Sequence, residues 1–175
     1  MPDVRDRPTA PQTRPVQAQH SQPPARPASP RISIDQQRAA FAWTCIVDAQ
    51  ARCSDMSKYT NLAKAAPALV MTNGLMQTLA FFKEKTAKEE SKREKDPHHM
   101  LSAHLCRWLG MRLEGSQCGS AGAFPGQASA AYEKVMPCLF QGKSELYQRA
   151  TEETFALLRW IRQFAAAAEK TGGRR

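Results

Sequence analysis

The chain has 175 residues, a formal net charge of +9 and 42% hydrophobic residues, and these values predict one soluble domain with room for a tail. No apolar run approaches the roughly 20 residues of a membrane-spanning helix, and the N-terminus lacks the apolar core of a signal peptide. Five cysteines in loose spacing, without a C-x-x-C motif, are typical of reduced and buried thiols. The sequence therefore predicts a cytoplasmic protein without membrane contact.

The positive charge is distributed over both parts of the chain. Residues 1–33 hold five Arg and two Asp and carry +3, which leaves +6 for residues 34–175. A basic surface favours a polyanionic partner, above all nucleic acid. Solubility alone is the alternative explanation for such a charge.

Residues 1–33 contain eight of the twelve prolines in the chain, and Gln, Ser, Ala and Arg fill most of the remaining positions. Such a segment buries too little apolar surface to offset the entropy lost on ordering, so we expect a disordered, partly extended tail. Two roles stay open for it: a dispensable extension, and a basic arm that touches nucleic acid.

Helical periodicity begins directly after the tail. Apolar residues from Ala39 to Cys53 recur with the three- and four-residue spacing of an amphipathic helix, and Asp35 is a suitable N-cap, so we predict a helix over 35–53. A second helix is predicted over 57–71, and Pro67 is expected to kink or restart it.

An Asn73-Gly74 dipeptide then interrupts the chain. Asn-Gly is a strong hairpin signal between strands, but Leu75, Leu79 and Phe82 follow it at helical spacing. We therefore predict a break between two helices, at which Gly74 is free to take a positive φ. A hairpin is the alternative.

The rest of the chain is predicted as helices and two polar segments. The mixed-charge run 83–95 is expected to form a solvated helix extension or a loop, and residues 114–129, which are rich in Gly, Ser and Pro, a loop. Asp96 and Pro97 have the signature of an N-cap and a first helical position. Because no segment alternates at the period of a strand, the predicted fold is all-α, a single compact bundle of about five to six helices over residues 34–175. The later helices are predicted near 97–113, 129–140 and 145–169.

No set of reactive side chains has the spacing of a catalytic or metal site. His98, His99, His104 and Cys106 lie close together in the sequence, but on a helix His99 and His104 project about 140° apart, which disfavours a tetrahedral zinc site. We expect His104 to be buried or half-buried, and His98 and His99 to be exposed. No nucleophile with a base and no pair of acids in a cleft is indicated, so we predict a protein that is not an enzyme and has no cofactor or metal. A small metal-dependent hydrolase is the alternative.

Basic residues on the predicted helices are the positive functional signal. Scattered Lys and Arg side chains on helices contact the phosphate backbone rather than the bases, and as a set they favour a polyanionic partner. Taken singly, each is also typical of an ordinary solvated surface position. The candidate contact residues are Arg38, Lys58, Lys64, Lys83, Lys85, Arg149, Arg159 and Arg162.

Three segments of the chain, in matching order, resemble the small subunit of the type III-B CRISPR effector complex, the Cmr complex. Residues 67–85 are similar to the family's PAL–NGL–LAF–K-x-K block, which is the most specific of the three. Residues 38–43 (RAAFAW) and the closing helix at 147–167, with its Y–T–E–LL-x-W pattern, are similar to the family's outer segments.

The resemblance implies a compact helical domain without catalytic residues that serves as a structural subunit in antiviral defence. Its partners would be the RAMP-fold backbone proteins of the complex, neighbouring copies along the filament, and the guide (crRNA) and target RNA, while cleavage belongs to other subunits. A helical protein–protein adaptor without nucleic-acid contact, whose charge only ensures solubility, is the alternative.

The resemblance also implies roles for individual basic residues. Lys83 and Lys85 match the family's K-x-K, and Arg38 and Arg162 match basic positions. Arg162 is followed by Gln where the family often has a second basic residue, so we expect this RNA contact to be weaker, with Arg159 nearby to compensate.

Overall fold

The computed structural model describes residues 32–113 and 132–172, and every regular element in these ranges is an α-helix. Nearly all of the predicted tail, and the whole of the predicted loop at 114–129, lie outside the described residues. The all-α prediction is confirmed, with seven helices in the described ranges. They are α1 (Ile34–Arg52), α2 (Met56–Asn73), α3 (Leu75–Lys85), α4 (Glu90–Arg93), α5 (Pro97–Arg112), α6 (Tyr132–Gln141) and α7 (Ser144–Gly172).

α1 begins one residue before its predicted start, and its cap is Ser33 rather than Asp35. The Ser33 hydroxyl accepts from the backbone N–H of Gln36 at 3.2 Å, and the Ser33 backbone N–H donates to the Gln36 side chain at 2.7 Å. This reciprocal pair is a capping box. Asp35 instead accepts a hydrogen bond from the indole N–H of Trp160 at 3.1 Å, which links the start of α1 to α7.

The break between α2 and α3 depends on glycine. α2 continues through Pro67 without a restart, and it ends at Gly74, whose φ is 83°. The predicted break is confirmed, and the hairpin is excluded because both flanks are helical. The Tyr147 hydroxyl of α7 accepts from the Leu75 N–H at 3.0 Å, and a Cβ on Gly74 would meet that hydroxyl at 3.0 Å. Close approach and positive φ therefore both require glycine here.

α5 lies at the centre of the bundle. It starts as the sequence predicts, with the Asp96 carboxylate accepting from the His98 N–H at 2.8 Å and with Pro97 in the first turn. It packs against α1, α2, α3, α6 and α7, while α7 makes its main contacts with α1 and α2. Because helices surround α5, residues on nearly all of its sides are buried, including Trp108 at 1% exposure.

The histidines of α5 are more buried than the sequence suggests. His104 is 2% exposed, which confirms its predicted burial, but His98 is 7% exposed and His99 is half-buried, so the prediction that these two are exposed is wrong. The rings of Phe81 and Phe82 lie 6.4 and 6.3 Å from the His98 ring, so α3 covers this turn of α5. Periodicity along one helix does not show that a neighbouring helix will cover its first turn.

Candidate nucleic-acid interface

Three of the predicted contact residues lie exposed on α7. Arg149, Arg159 and Arg162 are exposed, and none of them forms an ion pair within residues 32–113 and 132–172. Helix geometry separates Arg159 and Arg162 by about 4.5 Å along the axis and about 60° around it. Their guanidinium groups can therefore approach one strand of phosphates together, from a helix of 29 residues that is packed along the bundle.

Positive charge is concentrated in the C-terminal half of this helix. There Arg159, Arg162 and Lys170 are exposed together with one exposed acid, Glu169. The first half is more balanced, since exposed glutamates accompany Arg149. The electrostatic attraction for a polyanion should therefore be strongest toward the C-terminal end of α7.

Two further predicted residues, Lys58 and Lys64, lie exposed on α2, which packs against α7. Lys58 belongs to the first turn, where its backbone N–H donates to the N-cap Asp55 at 2.8 Å. The two lysines are about 9 Å apart along the helix axis. Neither forms an ion pair in the described part of the chain, so both ammonium groups are available to a ligand.

The two lysines of the K-x-K motif are bound to neighbouring side chains. The Lys83 ammonium pairs with Glu133 of α6 and lies 5.5 Å from the centroid of the Tyr132 ring. Lys85 pairs with Glu84 at 3.2 Å, and its ammonium lies 5.8 Å from the ring centroid of Phe81. Both pairs are substantially exposed, and exposed pairs contribute little stability, so these lysines can exchange partners.

Arg38 forms the strongest contacts with other side chains among the predicted residues. Its guanidinium donates to both carboxylate oxygens of Glu153, at 3.2 and 3.0 Å, and its side chain is 19% exposed. Glu153 also accepts from the indole N–H of Trp108 at 3.1 Å and lies 3.7 Å from Arg112. This carboxylate therefore joins α1, α5 and α7, and Arg38 acts first as a structural residue.

Sequence reasoning missed two arginines of α5. Arg107 is exposed and has no ion pair among the described residues, and Arg112 is partly exposed beside Trp108. The signal was present, because Arg107 lies at the edge of the apolar stripe of the predicted helix, where a long basic side chain can reach solvent. Both line a groove between α1 and α5.

A buried polar chain connects α1, α2 and α5. The His104 ring lies between two partners, with Nε2 at 3.1 Å from the Asp48 carboxylate and Nδ1 at 2.9 Å from the Tyr59 hydroxyl. Burial lowers the pKa of His104 to about 4, so the ring is neutral at pH 7. Since a carboxylate can only accept, Nε2 donates to Asp48 and Nδ1 accepts from Tyr59. The hydrogen bond from Arg52 is the main cause of the lowered pKa of Asp48.

This acid–histidine–hydroxyl order resembles a nucleophile relay, but its environment favours a structural role. The Tyr59 side chain is fully buried, and burial raises the pKa of its hydroxyl well above the ordinary value. A substrate cannot reach a hydroxyl with no exposed surface, and a raised pKa makes it a poor nucleophile. The chain of hydrogen bonds satisfies polar groups that would otherwise be buried without partners.

Two other kinds of site are absent from residues 32–113 and 132–172. No three His, Cys, Asp or Glu side chains are grouped in a way that could hold a metal ion. In the same residues, no helix is both long enough and apolar enough to cross a membrane.

A comparison with protein families gives a match over most of the chain. The family model described as "CRISPR-associated protein (Cas_Cmr5)" matches residues 34–168. The match begins where α1 begins, ends within α7, and includes all eight predicted contact residues.

Proposed function

The chain belongs to the Cmr5 family of CRISPR-associated proteins, the small subunits of type III-B Cmr complexes, and from this premise we propose that it is a non-catalytic structural subunit that contacts guide or target RNA through basic helical surfaces. Membership of the family makes it a partner of the other Cmr subunits. We further propose that it works in the cytoplasm, beside the RAMP-fold proteins of the complex and neighbouring copies of itself.

The exposed, unpaired arginines of α7 are the observation that carries the RNA proposal. Arg149, Arg159 and Arg162 project from a packed helix, and no carboxylate in the described residues pairs with them. Such groups bind phosphates by releasing counterions, without reading the base sequence. That property suits a subunit that must accept any guide and target sequence.

The remaining candidates take graded roles in this proposal. Lys58 and Lys64 add exposed charge on α2, and Lys85, paired only with the exposed Glu84, adds a peripheral contact. Lys83 would have to leave Glu133 before it could bind a phosphate. If Arg38 turned to a phosphate, it would leave the Glu153 carboxylate, which is only 15% exposed, without its main charged partner. Because an unpaired charge in such a place is destabilising, the proposed role of Arg38 is to hold α1 against α7.

Contacts with protein subunits have separate support. Several large apolar side chains are exposed, and exposed apolar patches on soluble proteins are typical of protein interfaces. Trp43 and Val47, one turn apart on α1, are 57% and 50% exposed, and Met71 and Phe140 are 79% and 59% exposed. These residues are our candidates for contacts with the backbone subunits and with neighbouring copies. They also favour the second candidate function, an adaptor that binds protein only.

Reconstitution of the Cmr complex with variant chains tests the proposal. The variant R159E/R162E should assemble with the other subunits but bind target RNA more weakly, because it presents repulsive charge at the proposed contact. The control K92E/R93E makes the same change in net charge on α4, where both residues pair with exposed glutamates. Equal RNA binding by the two variants would favour the adaptor.

A further inference from the structure

A groove lies between α1 and α5, and neither the sequence nor the family match indicates a role for it. Its volume is about 480 Å³, within the range of about 300–1,000 Å³ typical of small-molecule sites. Phe41, Trp108 and Met111 supply its apolar lining. The Phe41 ring lies 5.1 Å from the Trp108 ring and stays partly exposed, so an aromatic surface is accessible from the groove.

Arginines give the groove an excess of positive charge. Arg107 is exposed and unpaired within the described residues, and the Arg112 guanidinium lies 5.8 Å from the centroid of the Trp108 ring. The acid nearest to Arg112, Glu153 at 3.7 Å, already holds both nitrogens of the Arg38 fork. Arg112 Nε is buried and has no hydrogen-bond partner in the described residues. Arg38 and Arg112 thus share one carboxylate, and Arg112 has an unused donor.

The α1 wall of the groove adds two uncharged polar groups. The Thr44 hydroxyl donates to the Phe41 carbonyl at 2.7 Å, and the Gln37 amide nitrogen donates to the Ile32 carbonyl at 3.3 Å. Each side chain therefore keeps an oxygen that can accept a hydrogen bond. Acceptors of this kind can meet an amino or imino group on the edge of a base.

We propose that this groove binds one unpaired nucleotide of single-stranded RNA. Its base lies against Phe41 and the Arg112 guanidinium plane, and Arg107 contacts its phosphate. Aromatic rings and guanidinium planes are the surfaces on which proteins stack unpaired bases, and a duplex cannot present a base in this way. The inference rests on the proposed RNA contact and adds to it a site that distinguishes single strands from duplexes.

The test uses the full chain and a substitution that fills the groove without changing charge. Ala40 is exposed and lines the groove, so A40W blocks it, while A51W places the same side chain at an exposed position of the last turn of α1, outside the groove.

The probe is a short oligouridine with one photoreactive thiouridine, used as a single strand and as a duplex. We expect cross-links to the peptide containing Phe41 or Met111 from the single strand only. A40W should lose these cross-links and bind the single strand roughly fivefold to a hundredfold more weakly. A51W should keep both the cross-links and the affinity of the unmodified chain. Circular dichroism of both variants confirms folding.

The outcomes separate the two proposals. The groove proposal would be overturned if A40W and A51W bound the single strand equally strongly, or if the cross-links were confined to other peptides. Either result would leave the proposed RNA contact of α7 intact. Equal cross-linking of the duplex at the groove would also overturn it, since the base would not be the ligand. Absence of RNA binding by the unmodified chain, alone and in the reconstituted complex, would remove the proposed function and this inference together.

Discussion

The inward and outward faces of α7 place charged side chains in different surroundings. On the inward face Glu153 is 15% exposed and accepts hydrogen bonds from Arg38 and Trp108. On the outward face Arg159 and Arg162 are exposed without an acid partner in the described residues. The same residue type, arginine, therefore stabilises the bundle at one position and is available to a ligand at another. Which of the two it does depends on the carboxylates that folding brings near it.

The largest expected effect comes from removing the carboxylate of the inward face. E153A leaves the Arg38 guanidinium and the Trp108 indole N–H without their acceptor, so we expect a loss of about 3 to 5 kcal/mol in the free energy of unfolding. Denaturant unfolding measures this loss. The matched control is E152A, one residue away and exposed, for which we expect a change within about 0.5 kcal/mol. Similar losses for both variants would show that the two faces do not differ.

A second test uses pH on the buried network. The pKa of His104 is lowered to about 4 by burial, below its ordinary 6.5, so the unfolded chain binds the proton more readily. This contribution to stability is fully present above pH 6.5 and is lost as the pH falls from 6.5 toward 4, by up to about 3 kcal/mol. Measurements of the free energy of unfolding across this range should show the loss.

The control for the pH test is the half-buried neighbour. H104Q should remove most of the pH dependence of the free energy of unfolding between pH 6.5 and pH 4. H99Q should retain most of it, although burial lowers the pKa of His99 in the same direction. If H104Q keeps the full slope, another group titrates, and the His104 ring is not the origin of the pH dependence.

A third comparison pairs one arginine from each face. R38Q should lower the free energy of unfolding by about 2 kcal/mol, because the buried carboxylate loses a charged partner, and should change RNA affinity little. R159Q should do the reverse, with stability within about 0.5 kcal/mol of the unmodified chain and weaker RNA binding. Unfolding curves and fluorescence anisotropy with a single-stranded RNA give the two values for each variant. A variant that changed both properties strongly would remove the distinction between the faces.

Local patterns predicted the helices well because their causes are local. The Asp96 cap, the first-turn Pro97 and the glycine at 74 lie within a few residues of the ends they define, and α5 ends within one residue of its prediction. The cap of α1 was misassigned to Asp35 although Ser33 and Gln36 have the local spacing of a capping box, and Asp35 bonds instead to Trp160, far away in the sequence.

The candidate site was predicted less completely, because partners distant in sequence decide which charges are free. Arg38 lies 115 residues from Glu153 in the chain and Lys83 lies 50 residues from Glu133, so no short pattern indicates either pair. Residue type and helical spacing identified the arginines of α7 but could not separate them from Arg38. The groove lined by Arg107 forms only where α1 and α5 pack side by side, so the pattern of either helix alone could not predict it.

The salt dependence of RNA binding tests the central claim, that the exposed, unpaired arginines of α7 bind the phosphate backbone. For single strands the slope of log Kobs against log salt changes by about 0.7 for each phosphate contact. We predict that R149Q/R159Q/R162Q makes the slope shallower by about 2, whereas K88Q/K92Q/R93Q, with the same change in net charge, leaves it unaltered. Identical slopes for the two triple variants would contradict the account.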